Sequence, residues 1–136
     1  MIALQNVPLN LMVKTPLMTR ALTLLGYHLR YRLWIADLNA DIAVLRIAED
    51  HIIELQAQAD ATASAAISKF KEQFAGFREE IDQLKHEMHL SKMNLAAQAK
   101  TDNHKVSSED HAELEERYHL FKGKFDAAKQ ALVEFQ

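Results

Sequence analysis

FKEQFAGFREEIDQLKHEMHL, residues 70–90, carries Phe70, Phe74, Phe77, Ile81, Leu84 and Met88 at alternating steps of four and three. A helix turning once per 3.6 residues gathers such a series on one side, and a 3.5-residue repeat keeps that side against a neighbouring rod. A half-buried strand would instead place its apolar residues at every second position. The register extends back through Ile67 to Ala63 and forward through Ser91 to Leu95, with no proline and Gly76 as its only glycine. The stretch predicts a helix over about 64–99.

Downstream the pattern returns in His111, Leu114, Tyr118, Phe121, Phe125, Ala128, Leu132 and Phe135, predicting a helix over about 108–136. Ser107 and Ser108 precede it as candidate N-caps, and Glu109 and Asp110 put negative charge where the helix dipole favours it. A polar loop over about 100–107 carries the turn-prone Asp102-Asn103 pair. A reversal there folds the two helices into an antiparallel hairpin with an aromatic-rich core.

Upstream, Thr15-Pro16 reads as a helix start, because threonine can cap and proline at the first helical position loses no needed donor. From Leu17 a third seam runs through Ala21, Leu24, His28, Tyr31, Ile35, Leu38, Ile42, Leu45, Glu49, Ile52, Gln56 and Ala59 to Ala63, predicting a helix over about 15–59. His28, Glu49, Gln56 and His111 are polar residues on seam positions. Such residues fix register or sit at a wet edge, and imidazoles there titrate near neutrality. The steps 59 to 63 and 63 to 67 are both four, one more than the heptad allows. Six alanines between 57 and 66 favour one continuous helix, whereas Asp60, Thr62 and Ser64 can open a turn. An unbroken helix would be about 125 Å long and need a second chain along its first half, so the turn is the preferred reading.

The chain is thus expected to be all-α. Its long amphipathic helices form an antiparallel coiled-coil hairpin or an elongated three-helix bundle, a single helical domain over 15–136. Residues 1–14, MIALQNVPLNLMVK, are apolar without helical spacing and read as an extended or disordered, non-helical arm. Three glycines and two prolines in 136 residues are too few for the many turns of a β-rich chain. Cysteine is absent, which removes disulfides and thiolate chemistry. No run approaches the ~18 apolar residues that cross a bilayer, and a soluble, cytoplasmic protein is expected, with an organelle or the membrane periphery as the alternatives. The net charge of −3 hides a division: residues 1–36 carry Lys14, Arg20, Arg30 and Arg32 with no acid, and the remainder carries −7.

No catalytic constellation emerges. Glu116 and His119 form an E-x-x-H pair of the kind di-iron bundles use, but Gln83 stands where a second pair would need glutamate before His86. His86 and His89, three apart, read as solvent-facing, and no H-E-x-x-H motif occurs. Asp37 and Asp41 share one helical face and read as a solvated pair. Gly26, Gly76 and Gly123 are too isolated to cradle phosphate, and no G-x-S-x-G elbow exists. Neither metal nor cofactor is expected, and the chain reads as a non-enzyme.

The most informative segment for function is 17–36, LMTRALTLLGYHLRYRLWIA. Leu22, Leu25, Leu29 and Leu33 make a second apolar line beside the seam, so this helix needs two neighbours or a membrane surface. Tyr27, Arg30, Tyr31, Arg32 and Trp34 are the residue types that dominate binding hot spots. With Leu22, Leu25 and Leu29 they form the candidate interface; the plainer alternative is the thick end of the protein's own core. The expectation is a helical interaction protein: an adaptor, assembly factor or structural subunit whose partner is another protein or a second copy in a homo-oligomer. The alternative is a peripheral protein whose basic, leucine-rich helix lies on lipid. Nucleic acid is disfavoured, since four basic groups face −7 on the rest of the chain.

Overall fold

The computed structural model describes residues 16–100 and 108–135. They form three helices, α1 (Pro16–Gln58), α2 (Ala61–Ala99) and α3 (Ser108–Glu134), and no strand occurs among the described residues. The expected N-terminal arm, Thr15, the Asp102-Asn103 pair and Ser107 lie outside the described residues.

The alanine-rich stretch breaks at Ala59-Asp60. Asp60 holds an extended conformation (φ −80°, ψ 179°), and its carboxylate accepts from the Ala63 amide at 2.8 Å. Its carbonyl accepts from the Ser64 amide at 3.0 Å. One side chain thus satisfies an amide that would otherwise be orphaned, and α2 starts afresh in a new direction. Alanine propensity yields here because folding back lets α2 bury the seam of α1, a gain spread over many side chains.

Cross-helix contacts fix the directions. Along α1 and α2, Arg20 donates to the Gln98 carbonyl and Arg78 to Glu49, so these helices are antiparallel. Between α2 and α3, Phe70 meets Phe135, Phe77 meets Phe125, and Glu87 meets Arg117, again antiparallel. Between α1 and α3, Tyr27 meets His111, Trp34 meets Tyr118 and Asp41 meets Lys122, which is parallel. The result is an up-down-up three-helix bundle.

Seam positions from all three helices supply the core. Leu24, Tyr31, Leu38, Leu45 and Ile52 come from α1, Ile67, Phe74, Ile81, Leu84, Met88 and Leu95 from α2, and Leu114, Tyr118, Phe121, Phe125 and Leu132 from α3. Phe77 of α2 meets Phe125 edge-on at 5.3 Å and Phe121 edge-on at 5.9 Å, while Phe121 and Phe125 stack at 5.4 Å. Edge-on and offset contacts bring the positive rim of one ring to the negative face of another, adding to what burial alone supplies. Phe70 and Phe135 close this cluster at the end nearest the α1–α2 turn, partly buried and edge-on at 5.5 Å. At 43, 39 and 27 residues the helices are unequal. The third therefore covers only the middle of the other two.

Replacing Asp60 with alanine should lower unfolding free energy by about 1 kcal/mol, the usual loss for an aspartate N-cap. Urea denaturation followed by circular dichroism, with no change in native helix content, checks this.

Candidate interaction surface

The inner face of α1 is occupied by α3. Tyr27 stacks on His111 with ring centres 4.1 Å apart, and Trp34 stacks on Tyr118 at 5.2 Å. Tyr31 is 0% exposed, meets Trp34 edge-on at 5.6 Å, and its hydroxyl is hydrogen-bonded to Nδ1 of His111. Burial pushes the Tyr31 hydroxyl up to about 12, against a hydrogen bond with Ser91 that pulls the other way. Burial lowers His111 below its ordinary value, while Asp110 pulls it back in part. A protonated phenol beside a neutral imidazole makes a compatible donor–acceptor pair, with Tyr31 donating.

Two turns further along, α1 carries Asp37 and Asp41, and α3 carries Lys122. The Lys122 ammonium lies 2.9 Å from Asp37 and 2.7 Å from Asp41, and the Tyr118 hydroxyl donates to Asp37. Asp41 is only 5% exposed. The expected solvated pair is therefore divided: Asp41 is a buried anchor and Asp37 stays half-exposed, because α3 brings one cation onto that face. Burial pushes the Asp37 carboxyl up, but Tyr118 and Lys122 outweigh it and hold the group below its ordinary value. Burial pulls Lys122 down, but the two carboxylates outweigh it and raise it. Burial, then donation to a charged Asp37, raises Tyr118 well above the usual phenol range. Three further bridges between helices, Arg78–Glu49, Arg117–Glu87 and Lys124–Glu80, are partly exposed and contribute at most about 1 kcal/mol each.

The outer face of α1 tells a different story. Leu22, Leu25, Leu29 and Leu33 are all exposed, Leu33 at 70%. Arg30 and Arg32 are exposed beside them, with Arg30 3.9 Å from Glu115 and its guanidinium 5.6 Å from the Tyr27 ring centre. The eight candidate interface residues thus divide between two faces. Leu22, Leu25, Leu29, Arg30 and Arg32 lie outward, whereas Tyr27, Tyr31 and Trp34 pack against α3.

The outward line also runs on past residue 36. Exposed Ala36, Ala40, Val44 and Ile47 (69%) continue it at helical steps. At 100° per residue the line from Leu22 to Ile47 stays on one side, opposite Leu24, Tyr31, Leu38 and Leu45. The signal was present in the steps 3, 4, 4, 3, 4, 4, 3, but the small alanines in its middle conceal it from any reading that follows leucines. Two open apolar clefts flank the ridge, each of about 350 Å³. One lies between the start of α1 and the end of α2, around Leu24, Leu25 and Leu95; the other lies between Val44, Ile47 and Val133 of α3.

The twelve candidate seam residues lie within or against the core: Phe74, Phe77, Ile81, Leu84, Met88, Leu114, Tyr118, Phe121, Phe125 and Leu132 are buried, and Phe70 and Phe135 are packed on them. His86 and His89 on α2 and Glu116 and His119 on α3 are exposed, and among the described residues no three potential metal ligands converge. No helix among the described residues is long and apolar enough to cross a membrane.

Lys122→Ala should strand the Asp41 carboxylate and cost about 2–3 kcal/mol, less than a fully buried pair because Lys122 keeps some solvent. The double replacement Asp41→Leu with Lys122→Met should recover most of that loss; a double-mutant cycle in urea measures both. The depressed pKa of His111 gives a second expectation. As pH falls through 6.5 the unfolded chain takes up the proton before the folded one does. Stability present above pH 6.5 is then lost on acidification, and His111→Gln should flatten the change in denaturation midpoint between pH 7.5 and 5.5. Comparison with known protein families, with curated proteins and with solved structures finds no match for this chain.

Proposed function

We propose that this chain is a non-enzymatic helical interaction protein, an adaptor, assembly factor or structural subunit, that docks through the outer face of α1. The observation that carries the reading is the exposed line Leu22, Leu25, Leu29 and Leu33 on the side of α1 turned away from its own core. A helix with that much apolar surface in water gains by covering it, at about 1 kcal/mol for each half-exposed leucine. Folded monomers rarely leave a continuous strip of this kind uncovered. α2 and α3 both back α1 over its central span, so the strip there is presented with little ordering cost. Arg30 and Arg32 at its edge give it a polar rim.

The lipid reading has less support. Tyr31 and Trp34, the aromatics that would rest at headgroup depth, are turned into the bundle. What the outer face of α1 offers a bilayer, among the described residues, is leucine with Arg30 and Arg32.

Replacing Leu29 with a photo-cross-linking phenylalanine analogue in the native cell should yield a discrete protein adduct, and Leu25→Glu should abolish it. Trp34→Ala should instead lower stability by about 2 kcal/mol, as expected for a partly buried aromatic. Adducts to lipid alone, or none at all, would remove the protein-docking role.

A further inference from the structure

Resting on that docking reading, we infer that the partner of the α1 outer face is a second copy of this chain, bound antiparallel about a two-fold axis. The order of side chains along the ridge carries it. Its first half is four leucines: Leu22, Leu25, Leu29 and Leu33. Its second half is smaller or β-branched: Ala36, Ala40, Val44 and Ile47. Spacings in the two halves mirror each other about one point, between Trp34 and Ile35.

Turning a second copy end over end about that point sets Leu33 against Ala36, Leu29 against Ala40, Leu25 against Val44 and Leu22 against Ile47. Near the axis every leucine meets an alanine, so large side chains enter the space small ones leave, and the backbones approach closely. Further out, Leu22 and Leu25 arrive over the cleft that Val44 and Ile47 form with Val133 of α3. A parallel pairing has none of this, since it sets leucine on leucine and alanine on alanine.

Charge agrees with the same direction. From Pro16 to Ala36 α1 carries Arg20, Arg30 and Arg32 and no acid; from Asp37 to Gln58 it carries five acidic residues and Arg46. Lys122 and Arg78 already pair with three of those acids, but Asp50 and Glu54 are exposed. A two-fold axis keeps each flank of the helix beside the same flank of its mate. It brings the half-exposed Arg30 within about 3 Å, along the axis, of the second copy's half-exposed Asp37 on the same flank, whereas parallel pairing would set Arg30 beside Arg32.

Area is sufficient as well. The six large side chains of the ridge leave roughly 500–600 Å² of apolar surface in water, at the upper end for a single patch on a monomer. With flanking side chains added, this reaches the ~600 Å² per partner at the lower bound of specific interfaces. The contact is isologous, so it closes at two copies.

The chain has no cysteine, which makes the test direct. One preparation carries Leu25→Cys, another Val44→Cys, and both are oxidised alone and mixed. Expected is a disulfide-linked dimer from the mixture only, because like positions lie about 28 Å apart along the axis in the antiparallel pair. Cross-linking of either preparation alone would overturn the antiparallel arrangement. Sedimentation of the unmodified chain should show a dimer whose dissociation constant rises about thirtyfold or more with Leu29→Glu, with helix content unchanged. A monomer at 100 µM, as about the highest concentration tried, would overturn self-association. If the Leu29 photo-adduct in cells were then to another protein, the docking reading would survive that failure.

Discussion

The contact between α3 and the inner face of α1 sets the register of the third helix and, along the middle of the bundle, the side of α1 that is left open. Tyr27 on His111, Trp34 on Tyr118 and Asp41 on Lys122 follow one another in the same order along two parallel helices. Those three contacts fix how far α3 slides along α1 and which side of α1 it covers. Once that side is chosen, Leu22, Leu25, Leu29 and Leu33 are necessarily on the other. The stacked rings supply attraction with little directional demand, whereas the ion pair penalises any slip, since a shifted Lys122 leaves the Asp41 carboxylate in a poorly solvated place. The polar group is thus more informative about register than the rings are.

Much of this was legible in the residues. The heptad spacing of Phe70 to Met88 and of Leu114 to Phe135 places those side chains in the core. Even the break in the alanine-rich stretch had a visible cause in Asp60, a residue suited to capping and flanked by good helix formers. Helix α1 was harder because apolar residues lie on both of its sides. Periodicity alone reports that two faces are apolar; it does not say which one faces α3. Aromatic residues and arginine suggested an external hot spot, yet Tyr31 and Trp34 are the side chains that α3 needs, since their large surfaces fill the gap between parallel helices. Asp41 was misread as solvated for a related reason. Its partner, Lys122, is some eighty residues away, and a carboxylate shows its burial only when its cation is placed.

The two kinds of apolar surface on α1 also differ in composition. Its inner side mixes aromatic rings with ionisable groups and is specific to α3. Its outer side holds aliphatic side chains and alanine. That contrast keeps the two from exchanging roles during folding: turning α1 halfway round would bury Arg32 and expose Tyr31, while leaving Lys122 without its carboxylates. The sequence therefore specifies not only a helix but its rotation.

The unequal helix lengths have a mechanical corollary. Over its central span α1 has two neighbours, while near Arg20 and again beyond Ile52 it has α2 alone. A backbone opening in the middle must expose rings from three helices at once, and one at either tip exposes a single seam. The molecule should behave as a stiff shaft with compliant ends, its tips opening and closing many times for each excursion of the centre. Leu33, Ala36 and Ala40 sit on the stiff part, so whatever rests there meets a surface that holds its shape.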